Sequence, residues 1–264
     1  MKESTINEWI KKTVRLPGLG HVLEIRHTPS NEGWQQIALD YWNKTLPNLS
    51  IVPSSKFAIV HRGKINDSSL YYYFKRFLIR DKRDRIKHCF LPSRAHRALL
   101  GGFLIEKSGF RAPHPVCLIE ERRFGIIRSS MLVTEEISDA PNMRDWLNKS
   151  ELGIAQSVTR KRALLKSFGL EVGAWHASGL HHGDMRIGNI LCQAQNNGTF
   201  VLFWLDNERI RRFKKLPTHL RVHNLMQVNM ERTGVSLTDR MRFWKAYSKA
   251  AGLEPNNEKS IIAK

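Results

Sequence analysis

The segment Gly179 to Arg212, GLHHGDMRIGNILCQAQNNGTFVLFWLDNERIRR, narrows the folds open to this chain more than any other part of it. A glycine stop is followed by H-G-D-x-x-x-x-N, then by two short apolar runs, then by Leu205-Asp206. Asn197-Gly198 separates the runs and is a strong hairpin-turn signal. The spacing predicts strands at Ile190 to Gln193 and Thr199 to Leu205. An H-x-D alone would be a turn with a capping aspartate. Asp184, Asn189, a hairpin and a strand-tip Asp206 in that order ask for more.

Phosphoryl transfer needs this order. The acceptor hydroxyl has to be oriented, and its proton accepted, by a carboxylate on a rigid loop, which is the place of Asp184. Mg²⁺ takes hard oxygen donors and keeps several waters, so an amide further along the loop and a carboxylate at the next strand's tip suffice as protein ligands. Those are Asn189 and Asp206. His181 and His182 have no partner at metal-ligand spacing and read as structural, one of them holding the loop.

The rest of the chain reads as two halves of different character. In the first, Lys56 to Arg62 and Leu70 to Leu78 are β-branched or aromatic runs joined through Gly63 to Ser68. A helix starts near Ser93, behind Pro92, with Ala95, Leu99 and Phe103 on one face. Gly101 and Gly102 inside it predict close packing, since each costs about 1 kcal/mol relative to Ala. Cys117 to Glu120 and Ile126 to Glu135 form a second strand pair. The polar segment Ser138 to Asn142 separates a predicted lobe 1–137, with a short N-terminal extension, from a lobe 138–264. The second half opens on a helix from about Thr159 to Ser178, with Leu164, Phe168, Val172 and Trp175 at helical spacing. A final helix spans Leu237 to Ala251, with Ser236 and Asp239 forming a capping signal.

Charge narrows the partners: 43 Lys and Arg against 24 Asp and Glu leave a net of +19 over 264 residues. Such a surface seeks an anion, whether nucleic acid, acidic lipid or a polyanionic substrate. Lys75 to Lys87 reads as a solvated basic face, and Arg209, Arg211, Arg212, Lys214 and Lys215 follow Asp206 where an anionic acceptor would lie. Cys89, Cys117 and Cys192 have neither disulfide nor zinc spacing, which suggests a reducing compartment. No signal peptide or span of membrane length is read, so membrane contact is expected to be peripheral.

H-G-D-M-R-I-G-N-I-L resembles the catalytic loop of protein-kinase-like enzymes, and Leu205-Asp206-Asn207 looks like their D-F-G position with a changed third residue. More narrowly, the chain resembles the lipopolysaccharide core kinase (Kdo/WaaP) family. Tyr73-Phe74-Lys75-Arg76, Ser93-Arg94-Ala95, Gly109 to Pro113, Leu132 to Ile137, Arg221-x-x-Asn224-Leu225 and Arg242-Phe243-x-x-x-Tyr247 fall in that family's order. The resemblance implies an α+β, two-lobed protein-kinase-like fold, with an antiparallel-sheet N-lobe and a mainly helical C-lobe. It implies that Lys75 contacts the α- and β-phosphates of ATP and that Arg186 stands against the γ-phosphate. Backbone groups of Glu135 and Ile137 would meet the adenine. The chain departs from the kinase pattern twice: Ala98 takes the place of the helix glutamate, and Val52-Pro53-Ser54-Ser55 stands where a glycine-rich loop would be.

The resulting expectation is an ATP- and Mg²⁺-dependent kinase that phosphorylates a Kdo or heptose hydroxyl of the lipopolysaccharide inner core. Its acceptor would be a lipid A precursor bearing the core, met at the cytoplasmic face of the inner membrane by a chain bound peripherally to the anionic surface. Two alternatives stand beside it. One is the same fold acting on a protein or soluble small molecule. The other is a catalytically inactive basic protein that binds nucleic acid, a partner not expected under the leading reading.

Overall fold

The computed structural model describes residues 9–18, 20–29, 33–65, 69–79, 91–148, 154–230 and 234–253. Cys89 and residues 80–87 of the basic face lie outside the described residues. The chain divides into two compact units, Met1–Phe103 with Pro113–Ile137, and Leu104–Ala112 with Ser138–Lys264.

The first unit is built on a seven-stranded antiparallel sheet in the order β1-β2-β6-β7-β5-β4-β3. Its strands are β1 (Ile10–Arg15), β2 (His21–His27), β3 (Ser50–Val52), β4 (Ala58–Lys64), β5 (Tyr71–Leu78), β6 (Pro115–Arg123) and β7 (Ile126–Glu135). The strand pairs read from the sequence are present as β4–β5 and β6–β7. Residues 9–43 add more than a short extension: β1 and β2 widen the sheet, and helix α1 (Trp34–Asn43) covers it. Both sheet edges are blunted against further pairing, one by Lys11 and Lys12 on β1, the other by the shortness of β3.

Strand alternation sorts the sheet into two faces. Tyr72, Phe74, Ile119, Met131 and Val133 pack under Trp34, Ile37 and Tyr41 of α1, where Tyr41 stacks on Phe74 at 5.3 Å. Phe77, Leu118 and Leu132 face the other way, against Trp9 and against Ala95, Ala98 and Leu99 of helix α2 (Arg94–Lys107). Each large side chain so buried contributes roughly 1.5–3 kcal/mol. Ser93 caps α2 as read, its Oγ accepting from His96 N–H at 3.0 Å. Gly101 and Gly102 are both buried.

The second unit is organised around α4 (Ile154–Ala177), which begins about a turn earlier than its sequence pattern suggests. Leu164, Phe168, Val172 and Trp175 line its core face beside Tyr247 of α6 (Leu237–Ala250). A Cβ at Gly169 would lie 2.5 Å from Phe243 O, and one at Gly173 would lie 2.6 Å from Tyr247 O. These two glycines, one turn apart, let the α6 backbone lie directly on α4. The predicted capping box at Ser236 and Asp239 is formed. Burial raises the Asp239 pKa, but Lys161 Nζ at 2.6 Å and the Ser236 bonds outweigh it and hold the carboxyl at about 2. Helices α3 (Met143–Asn148) and α5 (Thr218–Asn229) complete the unit with two small sheets, β9 (Ile190–Ala194) with β10 (Phe200–Trp204), and β8 (Leu180–His181) with β11 (Arg211–Arg212). Cys117 and Cys192 are buried free thiols whose pKa burial pushes up.

Candidate active site

Gly179 ends α4 at a φ of +80°, and a side chain there would run into Phe213 O. The chain then makes β8, whose His181 pairs with Arg211 across β11. This two-residue zipper fixes both the approach to Asp184 and the exit from Asp206. The hairpin read from the sequence lies between them: Gly198 sits at a φ of +77°, and Asn197 Oδ1 accepts from Thr199 N–H at 3.0 Å.

His182 joins the two carboxylate segments. Its Nδ1 accepts from Asp184 N–H at 3.0 Å, so its Nε2 carries the proton and donates to Leu205 O at 3.0 Å. The ring is fully buried against Trp175 and Trp204. Burial pushes its pKa down to about 4, and the Leu205 bond and Asp184 charge only partly oppose it. A neutral ring is what this bonding pattern requires. Asn189 supplies the second link: its Nδ2 donates to Asp184 O at 3.0 Å, and its own carbonyl accepts from Leu205 N–H at 2.9 Å. With Nδ2 so engaged, the amide is fixed in orientation and its oxygen is the atom that could serve a cation.

Asp206 follows at φ 57° and ψ 47°, left-handed backbone that a short polar side chain tolerates better than most. Asp184 Oδ1 lies 2.9 Å from Arg186 Nε, and that guanidinium is the more exposed partner. Asp184, Arg186, Asn189 and Asp206 are thus carried by one bonded network. The oxygen donors of Asn189 and Asp206 suit a hard divalent ion that keeps its waters. Among the described residues no three His, Cys, Asp or Glu side chains gather as a closed metal cage.

Helix α5 holds the loop from behind. Asn224, fully buried, accepts from His182 N–H at 3.1 Å through Oδ1 and donates from Nδ2 to His182 O. Gln227, one turn on, accepts from Met185 N–H at 2.9 Å and donates to Gly183 O at 3.4 Å. His176 Nε2 donates to Asn224 Oδ1 at 3.3 Å, and its Nδ1 accepts from Tyr247 O–H at 3.0 Å. Burial and the Arg221 charge drive the His176 pKa down to about 3. Glu171 on α4 accepts from Trp204 Nε1 at 2.8 Å, just ahead of Leu205-Asp206, and burial pushes its pKa up to about 7. The sequence reading assigned no role to Asn224, Gln227 or Glu171. Asn224 stood out only as part of Arg221-x-x-Asn224-Leu225, and nothing local marks Gln227 or Glu171.

The three remaining predicted residues belong to the first unit. Lys75 is half-buried on central strand β5, opposite Val60 and Leu132, with Nζ 5.3 Å from the Phe77 ring. Ala98 packs on that same face. Glu135 ends β7, its N–H donating to His114 O at 2.9 Å, and Ile137 is the last residue of the unit's second segment. Val52 to Ser55 lead into the tight turn from β3 to β4, where Ser54 Oγ donates to Ala58 O at 2.7 Å.

The sequence model of the lipopolysaccharide kinase (Kdo/WaaP) family matches residues 58–247. Among solved structures, one described as WaaP in complex with acyl carrier protein is similar in fold at 17% identity, covering 88% of this chain and 93% of that one, with a TM-score of 0.59. No curated protein matches the chain significantly. The α+β architecture is therefore of the protein-kinase-like kind. Among the described residues no helix is long and apolar enough to cross a membrane.

Proposed function

The chain belongs to the lipopolysaccharide kinase (Kdo/WaaP) family, and on that premise we propose that it transfers the γ-phosphoryl group of ATP to a Kdo or heptose hydroxyl of the lipopolysaccharide inner core. The observation that carries the proposal is the bonding of His182 to both Asp184 N–H and Leu205 O. It supports a single catalytic centre assembled from segments on either side of a hairpin.

Asp184 orients the acceptor hydroxyl and takes its proton. Arg186, paired with Asp184 at 2.9 Å, exchanges that partner for the γ-phosphate, which frees the carboxylate as substrate arrives. Lys75 balances the α- and β-phosphates, and backbone groups of Glu135 and Ile137 meet the adenine. Asn189 and Asp206 would hold Mg²⁺, which when bound neutralises phosphate charge. Residues 1–137 would serve nucleotide binding, and residues 138–264 catalysis and the acceptor. The net charge of +19 supports peripheral docking at the anionic cytoplasmic face of the inner membrane, each nearby cation adding about 1 kcal/mol.

A second partner reading has its own observation. A cleft of about 950 Å³ in the second unit is lined by Leu165, Phe168, Met226, Met241 and Phe243. Its apolar lining would suit an acyl chain, whether of the lipid acceptor or of an acyl carrier protein like that in the similar structure's complex.

The test is label transfer from radioactive ATP to purified core lipopolysaccharide, to delipidated sugar and to protein fractions. Label enters the lipopolysaccharide, and Asp184→Ala lowers transfer by about 100-fold or more. Equal transfer by the variant removes the assigned base, and label in protein alone moves the acceptor to the first alternative.

A further inference from the structure

His181 is the one residue of the H-H-G-D loop that the network above leaves out. It is 8% exposed, and neither ring nitrogen has a hydrogen-bond partner. Leaving a buried donor unsatisfied costs about 1–3 kcal/mol, so a folded chain keeps one only where something else engages it. The groups around the ring come from β8, β11 and α5. Arg211 is its partner across the zipper, and the His223 ring lies 5.7 Å away, inclined at 36°.

Beside burial, the charges that act on this imidazole are basic. Burial first, then the charges of His223, Arg211 and His219, push its pKa down to about 4. Arg211, His219 and His223 are exposed. Helix α5 adds to the same field: it starts behind Pro217 with no side-chain cap and no acidic residue in its first turn, where His219 sits. A helix start carries partial positive charge and bare N–H groups, so cations placed there oppose the dipole. The arrangement is unfavourable by itself and favourable around an anion. A metal ion is the wrong occupant, because Arg211 brings a fixed positive charge and the three imidazoles do not gather as ligands.

We propose that His181, Arg211, His219 and His223 form a binding site for a phosphate monoester carried by the acceptor, three residues ahead of Asp184. Arg211 supplies a planar fork for two phosphate oxygens, His181 a buried donor for a third, and the α5 start its N–H groups. Phosphate binding itself is independent of the kinase reading; its assignment to the acceptor rests on that reading.

Two measurements separate these parts. In the full chain with ¹⁵N-labelled histidine, inorganic phosphate is titrated near neutral pH while ring signals and binding of a fluorescent ATP analogue are followed. The His181 signals shift saturably, Arg211→Gln and His223→Gln each weaken phosphate binding about tenfold or more, and nucleotide affinity stays unchanged. Both variants lie at exposed positions, and a melting curve confirms their fold. Linear, unsaturable shifts, or the same affinity in both variants, overturn the site. In the second measurement, core lipopolysaccharide is compared before and after phosphatase treatment. Dephosphorylation raises KM for the native chain about tenfold and leaves Arg211→Gln unaffected. An unchanged KM, with phosphate still bound, shows that the site serves free phosphate and overturns the acceptor assignment. Absence of transfer to either acceptor overturns that assignment together with the kinase reading, while the titration decides the phosphate site alone.

Discussion

The N–H of Asp184 donates to Nδ1 of His182 at 3.0 Å, and that bond can exist only while Nδ1 is unprotonated. The His182 pKa is pushed from 6.5 down to about 4, so the unfolded chain takes up the proton first as pH falls. Stability from this group is therefore fully present above the unfolded value and is lost between the two, to the extent of about 3 kcal/mol. His176, lowered to about 3, acts with the same sign. Denaturant midpoints measured from about pH 7.5 down to about pH 4.5 should fall steeply, and His182→Phe should flatten that slope while lowering the midpoint near neutrality.

Asn224 holds both backbone groups of His182 from inside α5, whereas Gln227 reaches Met185 and Gly183 from a partly exposed position. Asn224→Ala leaves the buried N–H and C=O of His182 unpaired and should cost about 2–4 kcal/mol. Gln227→Ala should cost about 1 kcal/mol, since water can enter. Because both act through the loop, transfer assays should show kcat falling in each with KM for ATP little changed. A drop in stability with kcat intact would reduce them to ordinary packing residues.

These two side chains mark the boundary of what the residues disclosed beforehand. The hairpin of β9 and β10 was legible because its signals are local: Asn197-Gly198 marks the turn, and apolar runs set the strands. The same holds for α6, where Ser236 and Asp239 write the cap into adjacent positions. Asn224 meets His182 across 42 residues of chain, and no local pattern encodes that pairing. Likewise α5 lacks a side-chain cap, and β1 with β2 joins the sheet beside β6, a choice made by long-range packing. Gly169 and Gly173 belong with these, since what they contribute, room for the α6 backbone, depends on a segment more than 70 residues further on.

Asp206 sits at φ 57° and ψ 47°, a conformation that Asn adopts at least as readily as Asp. Asp206→Asn should therefore leave the melting temperature within about 2 °C while removing the charge proposed to hold Mg²⁺. Phosphoryl transfer should drop about 100-fold or more, and titration with Mn²⁺ should show weakened binding in the presence of nucleotide. Wild-type metal affinity in this variant would place the ion elsewhere.

Glu171 runs against the histidines. Burial raises its pKa from 4.5 to about 7, while its Trp204 bond and the Arg111 charge pull the other way without prevailing. The folded chain thus holds this proton where the unfolded chain has released it, so the contribution is most favourable below the unfolded value and is lost as pH rises through about 7. Gln at this position keeps an oxygen for Trp204 Nε1, which lies 2.8 Å from the carboxylate, and carries no charge to desolvate. Glu171→Gln should raise stability by about 1–3 kcal/mol near pH 8 and change it little near pH 5. Paired chemical denaturation curves at the two pH values read this directly. A gain of the same size at both would assign the effect to packing around Trp204, and a loss at the higher pH would mean that the ionised carboxylate is held by a favourable partner.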